Sequence, residues 1–407
     1  MDLVVQKYGG TSVANTKKIK NIARNIQKLR KRKKSLVVVV SAMAGETDKL
    51  HNLTKDISKI PNDRECDQII STGEKVSAGL VTMALLEIGI KAISLDPRNF
   101  GLITNDLHGK ATILSVGTDE IKKYLKKGFV VVIPGFQGIN LQGDVTTLGR
   151  GGSDLSAVAI ASALKASYCE LLKDDVDGIY TTDPKLYKGA KKINYISYQE
   201  MLEMSSLGSK VLQAKAVEYA NNLKIKLNVK STTKNSQKGT WVMDEKSIPI
   251  KEKKVVRGIT HDLKQSKISI LGIDDKPGIA SKIFEPISKA GIIVDMIVQN
   301  ISTDGQSDLT FTIPREDLNK TVRILQKNKS KLNYTSLLQD EKIALISIIG
   351  AGMKTETGVA SRMFKCLSRS RINISKITTS EIKISCVIDK NKCKAAVQAL
   401  HKEFKLA

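Results

Sequence analysis

The chain has 407 residues, more than a single domain of about 100–200 residues accounts for, and its 41% hydrophobic and 26% charged residues exclude wholesale disorder. The net charge of +25 raises nucleic-acid binding, but aromatics are only 4% of the chain and no basic run is interleaved with them, so a lysine-rich surface is the reading and no nucleic-acid partner is expected. Five cysteines without a C-x-x-C pair and four histidines without ligand spacing exclude a disulfide scaffold and argue against a structural or His-based metal site.

In chain order, Leu3-Val4-Val5 reads as a strand that leads into Lys7-Tyr8-Gly9-Gly10-Thr11-Ser12. Paired glycines before a helix let a backbone approach phosphate, and Lys7 supplies a point charge; a plain strand-to-helix turn fits the spacing equally well. Residues 17–34 carry ten Lys/Arg and no acid. Ile19, Ile22, Ile26 and Leu29 recur there at helical spacing, so the lysines read as the solvated face of an amphipathic helix. Residues 36–40 are a continuous apolar strand, followed by Ser41-Ala42-Met43-Ala44-Gly45-Glu46-Thr47-Asp48, a small, hydroxyl-rich loop suited to a ligand or to helix capping. Ser71-Thr72-Gly73-Glu74 reads as a helix start, with Glu74 completing a capping box from Ser71. Residues 81–86 are helical, and residues 89–94 and 129–133 are strands, the second closed by Pro134-Gly135.

Thr146-Thr147-Leu148-Gly149-Arg150-Gly151-Gly152-Ser153-Asp154 is the most informative stretch. Arg150 among three glycines suits bidentate capture of a carboxylate, and Gly151, Gly152 and Ser153 would face an anion at the start of a helix near residue 155. Residues 170–172 lie in a further strand, followed by Asp174-Asp175-Val176-Asp177-Gly178. The EF-hand spacing fails there, leaving a turn network or a nucleotide-edge loop with Tyr180 and Lys185. Strands alternating with helices mean βαβ units and a mostly parallel sheet between helices, with ligands at the carboxyl ends of the strands. Residues 244–254 are polar and connect this region to an internal repeat: Gly278-Ile279-Ala280-Ser281 and Gly358-Val359-Ala360-Ser361 stand 80 residues apart. Each copy reads as a small α+β module. Gly350-Ala351-Gly352 lacks the third glycine of a dinucleotide fingerprint.

Six ordered motifs together resemble the aspartate kinases of the amino-acid kinase superfamily: Lys7-Tyr8-Gly9-Gly10-Thr11-Ser12-Val13, Ser41-Ala42-Met43, Ser71-Thr72-Gly73-Glu74, residues 148–154, Asp175-Val176-Asp177-Gly178 and Lys210-Val211-Leu212-Gln213. The repeat resembles paired ACT domains through Asp275-Lys276-Pro277-Gly278, residues 294–300 and residues 380–385. The resemblance implies an α/β kinase domain over residues 1–244, a connector over 245–262, and ferredoxin-like ACT domains over 263–340 and 341–407. It implies transfer of the ATP γ-phosphoryl group to the β-carboxylate of L-aspartate, the first step toward lysine (by way of diaminopimelate), threonine and methionine. Lys7, Asp154 and Lys210 are the implied catalytic residues. Ser41, Thr47, Glu74, Arg150, Gly151, Gly152 and Ser153 would bind aspartate. Lys7, Tyr8, Gly9, Gly10, Ser41, Lys173, Asp174, Asp175, Tyr180, Lys185 and Lys210 would hold MgATP, its Mg²⁺ carried by phosphates and waters rather than by a protein metal site. Asp275, Gly278, Ile279, Ala280 and Gln299 would take an effector, lysine or threonine or both.

Several departures and expectations accompany the resemblance. Residues 171–174 run one residue longer than the family's approach to Asp-Val-Asp-Gly, Ser209 replaces an alanine, and Arg371 stands where the first repeat has Gly291. A homo-oligomer joined through the ACT pair, a cytoplasmic location and no fused homoserine dehydrogenase are expected. Met1-Asp2-Leu3-Val4 has no basic stretch ahead of an apolar run, and no apolar run approaches about 20 residues, so neither a signal peptide nor membrane insertion is expected. The alternatives are a sister kinase for glutamate, N-acetylglutamate, carbamate or UMP, and a catalytically inactive ACT-based amino-acid sensor. Arg150 with the twin repeats argues against the first; Lys7, Glu74, Arg150, Asp154 and Lys210 argue against the second.

Overall fold

The computed structural model describes residues 2–31, 34–174, 176–207, 211–233, 238–301 and 305–406. They divide into one unit of residues 1–179 and 192–253, and a second comprising Tyr180–Lys191 and Lys254–Ala407.

The first unit runs β1 (Leu3–Tyr8), α1 (Thr16–Arg30), β2 (Ser35–Val40), α2 (Glu46–Ile57), α3 (Asp63–Glu87), β3 (Ala92–Ser94), α4 (Pro97–Phe100), β4 (Leu102–Thr104), β5 (Ile113–Val116), α5 (Asp119–Lys126), β6 (Val130–Pro134), β7 (Gln137–Ile139), β8 (Val145–Thr147), α6 (Gly152–Ala163) and β9 (Tyr168–Lys173). The chain continues through β10 (Ile179–Tyr180), β11 (Lys192–Ile193), β12 (Tyr195–Ser197), α7 (Tyr198–Ser206), α8 (Ala214–Asn222), β13 (Leu227–Ser231) and β14 (Thr240–Met243). Among the described residues, eight strands form one sheet in the order β12-β14-β13-β9-β1-β2-β6-β3, parallel except where β13 meets β14. Every residue of β2 is buried, as a strand covered on both faces requires. One face packs Val4, Tyr8, Val38 and Val40 against Ile19, Ile22 and Ile26 of α1 and Ala78, Val81 and Leu85 of α3. Strand parity turns Val5 and Lys7 to the opposite face, where α6 lies. A smaller sheet, β5-β4-β7-β8, leads into the Arg150 loop.

Two helix boundaries differ from expectation. Ser71 to Glu74 sit inside α3, which starts at the Asn62 cap, so they form no capping box; the Ser71 hydroxyl donates to the Gln68 carbonyl. Gly73 is there for close packing, since a Cβ would lie 2.9 Å from the Cβ of Ala42. Helix α6 starts at Gly152, three residues before Leu155, because Gly151 serves as a left-handed N-cap and places Ser153 and Asp154 in the first turn. By length and composition α3 could cross a bilayer, but half of its apolar window is buried within the protein.

The second unit runs β15 (Gly258–Asp262), β16 (Gln265–Asp274), α9 (Ile279–Lys289), β17 (Ile297–Ile301), β18 (Gln306–Pro314), α10 (Leu318–Lys327), α11 (Lys329–Leu332), β19 (Ser336–Asp340), β20 (Ile343–Ile349), α12 (Val359–Arg369), β21 (Lys376–Ser380), β22 (Lys383–Asp389) and α13 (Cys393–Glu403). Its sheets are β17-β18-β16-β19 and β15-β20-β22-β21, all pairings antiparallel. Strand β15 lies in the stretch read as connector, yet it completes the sheet of the second repeat. Arg371 adopts the left-handed backbone of its counterpart Gly291, with φ of 53° against 75°. Tyr180–Lys191 also belongs to this unit. Thr181 accepts from Ile259 N–H, its hydroxyl meets His401 Nε2 at 2.8 Å, and Leu186 and Tyr187 pack on the second unit's core.

Leu36→Ala tests the first unit's core. Leu36 is fully buried, so the loss should be about 2–5 kcal/mol, read as a lowered denaturant midpoint for that unit's transition.

Candidate active site

Strands β1, β2, β6, β9 and β13 point the same way, so their carboxyl ends share one edge of the sheet. Gly9 and Gly10, Ser41, Gly135, Asp174 and Thr232 follow those ends directly. The turns are close: a Cβ on Gly10 would lie 2.9 Å from the Ala42 carbonyl oxygen, and one on Gly135 would lie 2.8 Å from the Cβ of Ser153.

Lys7, near the end of β1, is 6% exposed. Its Nζ lies 2.7 Å from Asp154 Oδ1 in the first turn of α6. Lys173 Nζ, at the end of β9, lies 3.8 Å from Asp154 Oδ2 and donates to the Val211 carbonyl at 2.5 Å. Burial alone would raise the Asp154 carboxyl, but the two ammonium groups hold it below the usual carboxylate range. The helix N-terminus beneath it also favours negative charge.

Glu74 projects from α3 toward the β2 turn and accepts the Ala42 N–H at 3.0 Å through Oε1. Its Oε2 is buried with no hydrogen-bond partner. Burial pushes the Glu74 carboxyl up to about 7, against the lowering effect of Ala42, its own N–H and Lys7. Arg150 is exposed and makes no ion pair among the described residues. Gly151 and Gly152 admit no larger residue: a Cβ would come within 2.6 Å of Gln213 Cγ and 2.8 Å of Phe136 Cδ2, respectively. Ser153 is buried, and Thr47 is half-buried in the first turn of α2. The edge thus gathers a buried lysine, a carboxylate that holds it, an orphaned carboxylate oxygen and a free guanidinium, which together suit phosphoryl transfer to a small amino acid.

On the β9 side, Asp174 pairs with Lys18 at 2.7 Å and accepts from the Thr232 hydroxyl, while Lys18 also donates to the Thr11 carbonyl at 2.7 Å. Lys18 escaped the sequence reading because it looked like one of many surface lysines on α1. Asp175 and Lys210 lie outside the described residues. Strand parity buries the Tyr8 ring in the α1–α3 core, where its hydroxyl donates to Gln6. Tyr180 and Lys185 lie in the segment Tyr180–Lys191 of the second unit, whose Leu186 and Tyr187 pack on that unit's core. In the second unit, Gly278 caps α9 with φ of 88°, Ile279 and Ala280 open that helix, and the exposed Gln299 on β17 faces Ser307 at 3.5 Å. The Asp275 N–H donates to the Gly305 carbonyl.

The amino acid kinase family model matches residues 2–231, and an ACT domain model matches residues 268–328 and 346–404. An aspartate kinase of Pseudomonas fluorescens is 46% identical, covering 100% of this chain and 98% of its own length. An aspartokinase of Helicobacter pylori is 46% identical, covering 99% of each. Aspartokinase III of Escherichia coli, solved with aspartate and ADP, is 25% identical with a TM-score of 0.78 and covers 99% of this chain and 100% of its own. The same protein with lysine and aspartate gives a TM-score of 0.79 at the same identity and coverage.

Glu74 sets a pH dependence of stability. Its carboxyl is raised from 4.5 to about 7 in the folded protein, so its stabilising contribution is present below pH 4.5 and lost as pH rises through about 7. The stability of the native protein relative to Glu74→Gln should fall across that window, measured by urea denaturation at a series of pH values. A difference that does not vary with pH would refute the assignment.

Proposed function

The chain belongs to the aspartate kinases of the amino acid kinase family, and from that premise we propose how its residues divide the reaction. The enzyme transfers the γ-phosphoryl group of ATP to the β-carboxylate of L-aspartate, giving 4-phospho-L-aspartate and ADP, and it is feedback-regulated through its ACT pair. An aspartate β-carboxylate oxygen attacks the γ-phosphorus as the bond to the β,γ-bridging oxygen breaks. The nucleophile is already ionised at neutral pH, so no general base is needed. What remains is alignment and charge neutralisation.

The observation that carries the proposal is the buried Lys7 held 2.7 Å from Asp154 beside the glycine turn of β1. Lys7 neutralises the transferring phosphoryl oxygens, and Asp154 fixes its position; by family resemblance Lys210 acts with Lys7. Glu74, with its unpartnered Oε2, takes the substrate ammonium, while Arg150 takes the α-carboxylate. Thr47, Ser153 and the Gly151–Gly152 main chain complete the aspartate site. Gly9, Gly10, Ser41, Lys173 and the Lys18-bound Asp174 line the phosphate path. Mg²⁺ arriving with ATP would offset phosphate charge. We propose that phosphates and water, rather than protein side chains, hold the metal.

The effector proposed is lysine, bound by Asp275, Gly278, Ile279, Ala280 and Gln299 of the first repeat. The E. coli relative's complex with lysine supports this choice. A homo-oligomer joined through the ACT pair and a cytoplasmic location complete the proposal.

The test is coupled ADP release with aspartate, in the presence of lysine and threonine, alone and combined. Aspartate-dependent turnover inhibited by lysine is expected; inhibition by threonine alone would overturn the effector, and turnover only with another acid would overturn the substrate. In the same assay Lys7→Ala should lower kcat at least about 100-fold with little change in the aspartate KM, and Arg150→Ala should chiefly raise that KM.

A further inference from the structure

Asp67 is a carboxylate that the mechanism does not use, and it is 1% exposed. It sits on α3 two turns before Glu74, on the same helix face. Four donor groups converge on it. The Thr147 N–H reaches Oδ2 at 3.0 Å and the Thr147 hydroxyl reaches Oδ1 at 2.5 Å. The Gly109 N–H lies 3.0 Å from Oδ2 and 3.2 Å from Oδ1, and His108 Nδ1 lies 2.9 Å from Oδ2.

These donors belong to the two chain segments that bracket the Arg150 loop. Thr147 is the last residue of β8, three positions before Arg150, and its carbonyl accepts the Ala111 N–H at 2.9 Å. Gly149 has φ of 72°, and a Cβ there would lie 3.1 Å from the Gly109 carbonyl oxygen, so the segment at 108–109 forms the floor under that turn. One helical turn beyond Asp67, the Ser71 carbonyl accepts from Gln137 Nε2 at 3.0 Å, and Gln137 pairs with Thr147 across β7 and β8. Helix α3 therefore carries Glu74 directly and grips the root of the Arg150 loop through Asp67. The two groups read for the substrate ammonium and α-carboxylate are referred to one rigid element.

We propose that Asp67 is a positioning residue for the reaction, holding residues 147–150 so that Arg150 meets the aspartate α-carboxylate at a set distance from Glu74. This rests on the proposed role of Arg150. It makes recognition of an α-amino acid, in which ammonium and carboxylate share one carbon, depend on a residue that never touches the substrate. An asparagine at 67 keeps the size but turns an N–H₂ group toward donors that need an acceptor, so the loop root would shift.

The experiment compares Asp67→Asn, Thr147→Val and Arg150→Ala in the full-length enzyme, measuring kcat, both KM values, and stabilisation by MgATP and by aspartate. Asp67→Asn is expected to raise the aspartate KM by about tenfold or more while kcat and the ATP KM stay within about threefold. Thr147→Val, which loses only the hydroxyl contact, should shift the same KM less. In the Arg150→Ala background Asp67→Asn should add little, because the group it positions is gone. An unchanged aspartate KM in Arg150→Ala would overturn the reading of Arg150 and this proposal with it. A raised KM in Arg150→Ala with none in Asp67→Asn or Thr147→Val would overturn the role of Asp67 alone. Loss of MgATP stabilisation together with kcat in Asp67→Asn, or full additivity with Arg150→Ala, would reduce Asp67 to a structural carboxylate and overturn the proposal. Should Asp67→Asn not fold, Thr147→Val decides through the same readouts.

Discussion

The ion pair between Lys7 and Asp154 is the constraint on which the catalytic unit depends. Removing an ammonium group from water costs several kcal/mol unless a partner offsets it, and Lys7 is nearly inaccessible at the carboxyl end of a central strand. Asp154 offsets that cost from the first turn of α6, where the helix dipole favours its charge. Because Lys173 shares the same carboxylate, two cations face one anion. The geometry follows from this pair: α6 must start close above the sheet, which requires Gly151 and Gly152 at its start and Gly135 beneath Ser153.

Helix α3 plays a second organising part. Asp67, Ser71 and Glu74 recur at intervals of four and three on its inner face, while its apolar residues pack against β2 and β6. A helix is stiff along its axis, so groups it holds keep their separation when loops move. Glu74 is costly to bury as an anion, which is why its carboxyl rises to about 7. A cationic partner on the substrate would relieve that cost. On the proposed role of Glu74, the unfavourable burial is part of the recognition chemistry.

In the second unit, each four-stranded sheet takes its outer strand from the far side of the repeat. The first is completed by β19, which follows its own helices, and the second by β15, which precedes the first copy altogether. The first copy is therefore inserted in the chain of the second. Edge strands recruited this way cover exposed ladder groups, and β15 also ties the second module to the stretch around Tyr180–Lys191 through the Thr181 carbonyl.

Local chemistry made much of this legible from the sequence. Periodicity placed α1, β2 and β6 because a buried parallel strand must be apolar throughout and an amphipathic helix must repeat its apolar residues. The glycine-rich stretches marked Lys7, Arg150 and Asp154, since close backbone approach leaves a trace in residue type. Tyr8, Lys18, Asp67 and the segment at Tyr180–Lys191 were not legible in that way. Strand parity decided that Lys7 faces α6 while Tyr8 enters the core; the distant Asp174 gave Lys18 its partner; Asp67 acquired its role only when β8 and the segment at 108–109 folded against α3. Residue type and spacing record what a local backbone needs. Which face, partner or neighbouring module a residue meets is decided by contacts between segments tens to hundreds of residues apart, and only the tertiary structure brings those together.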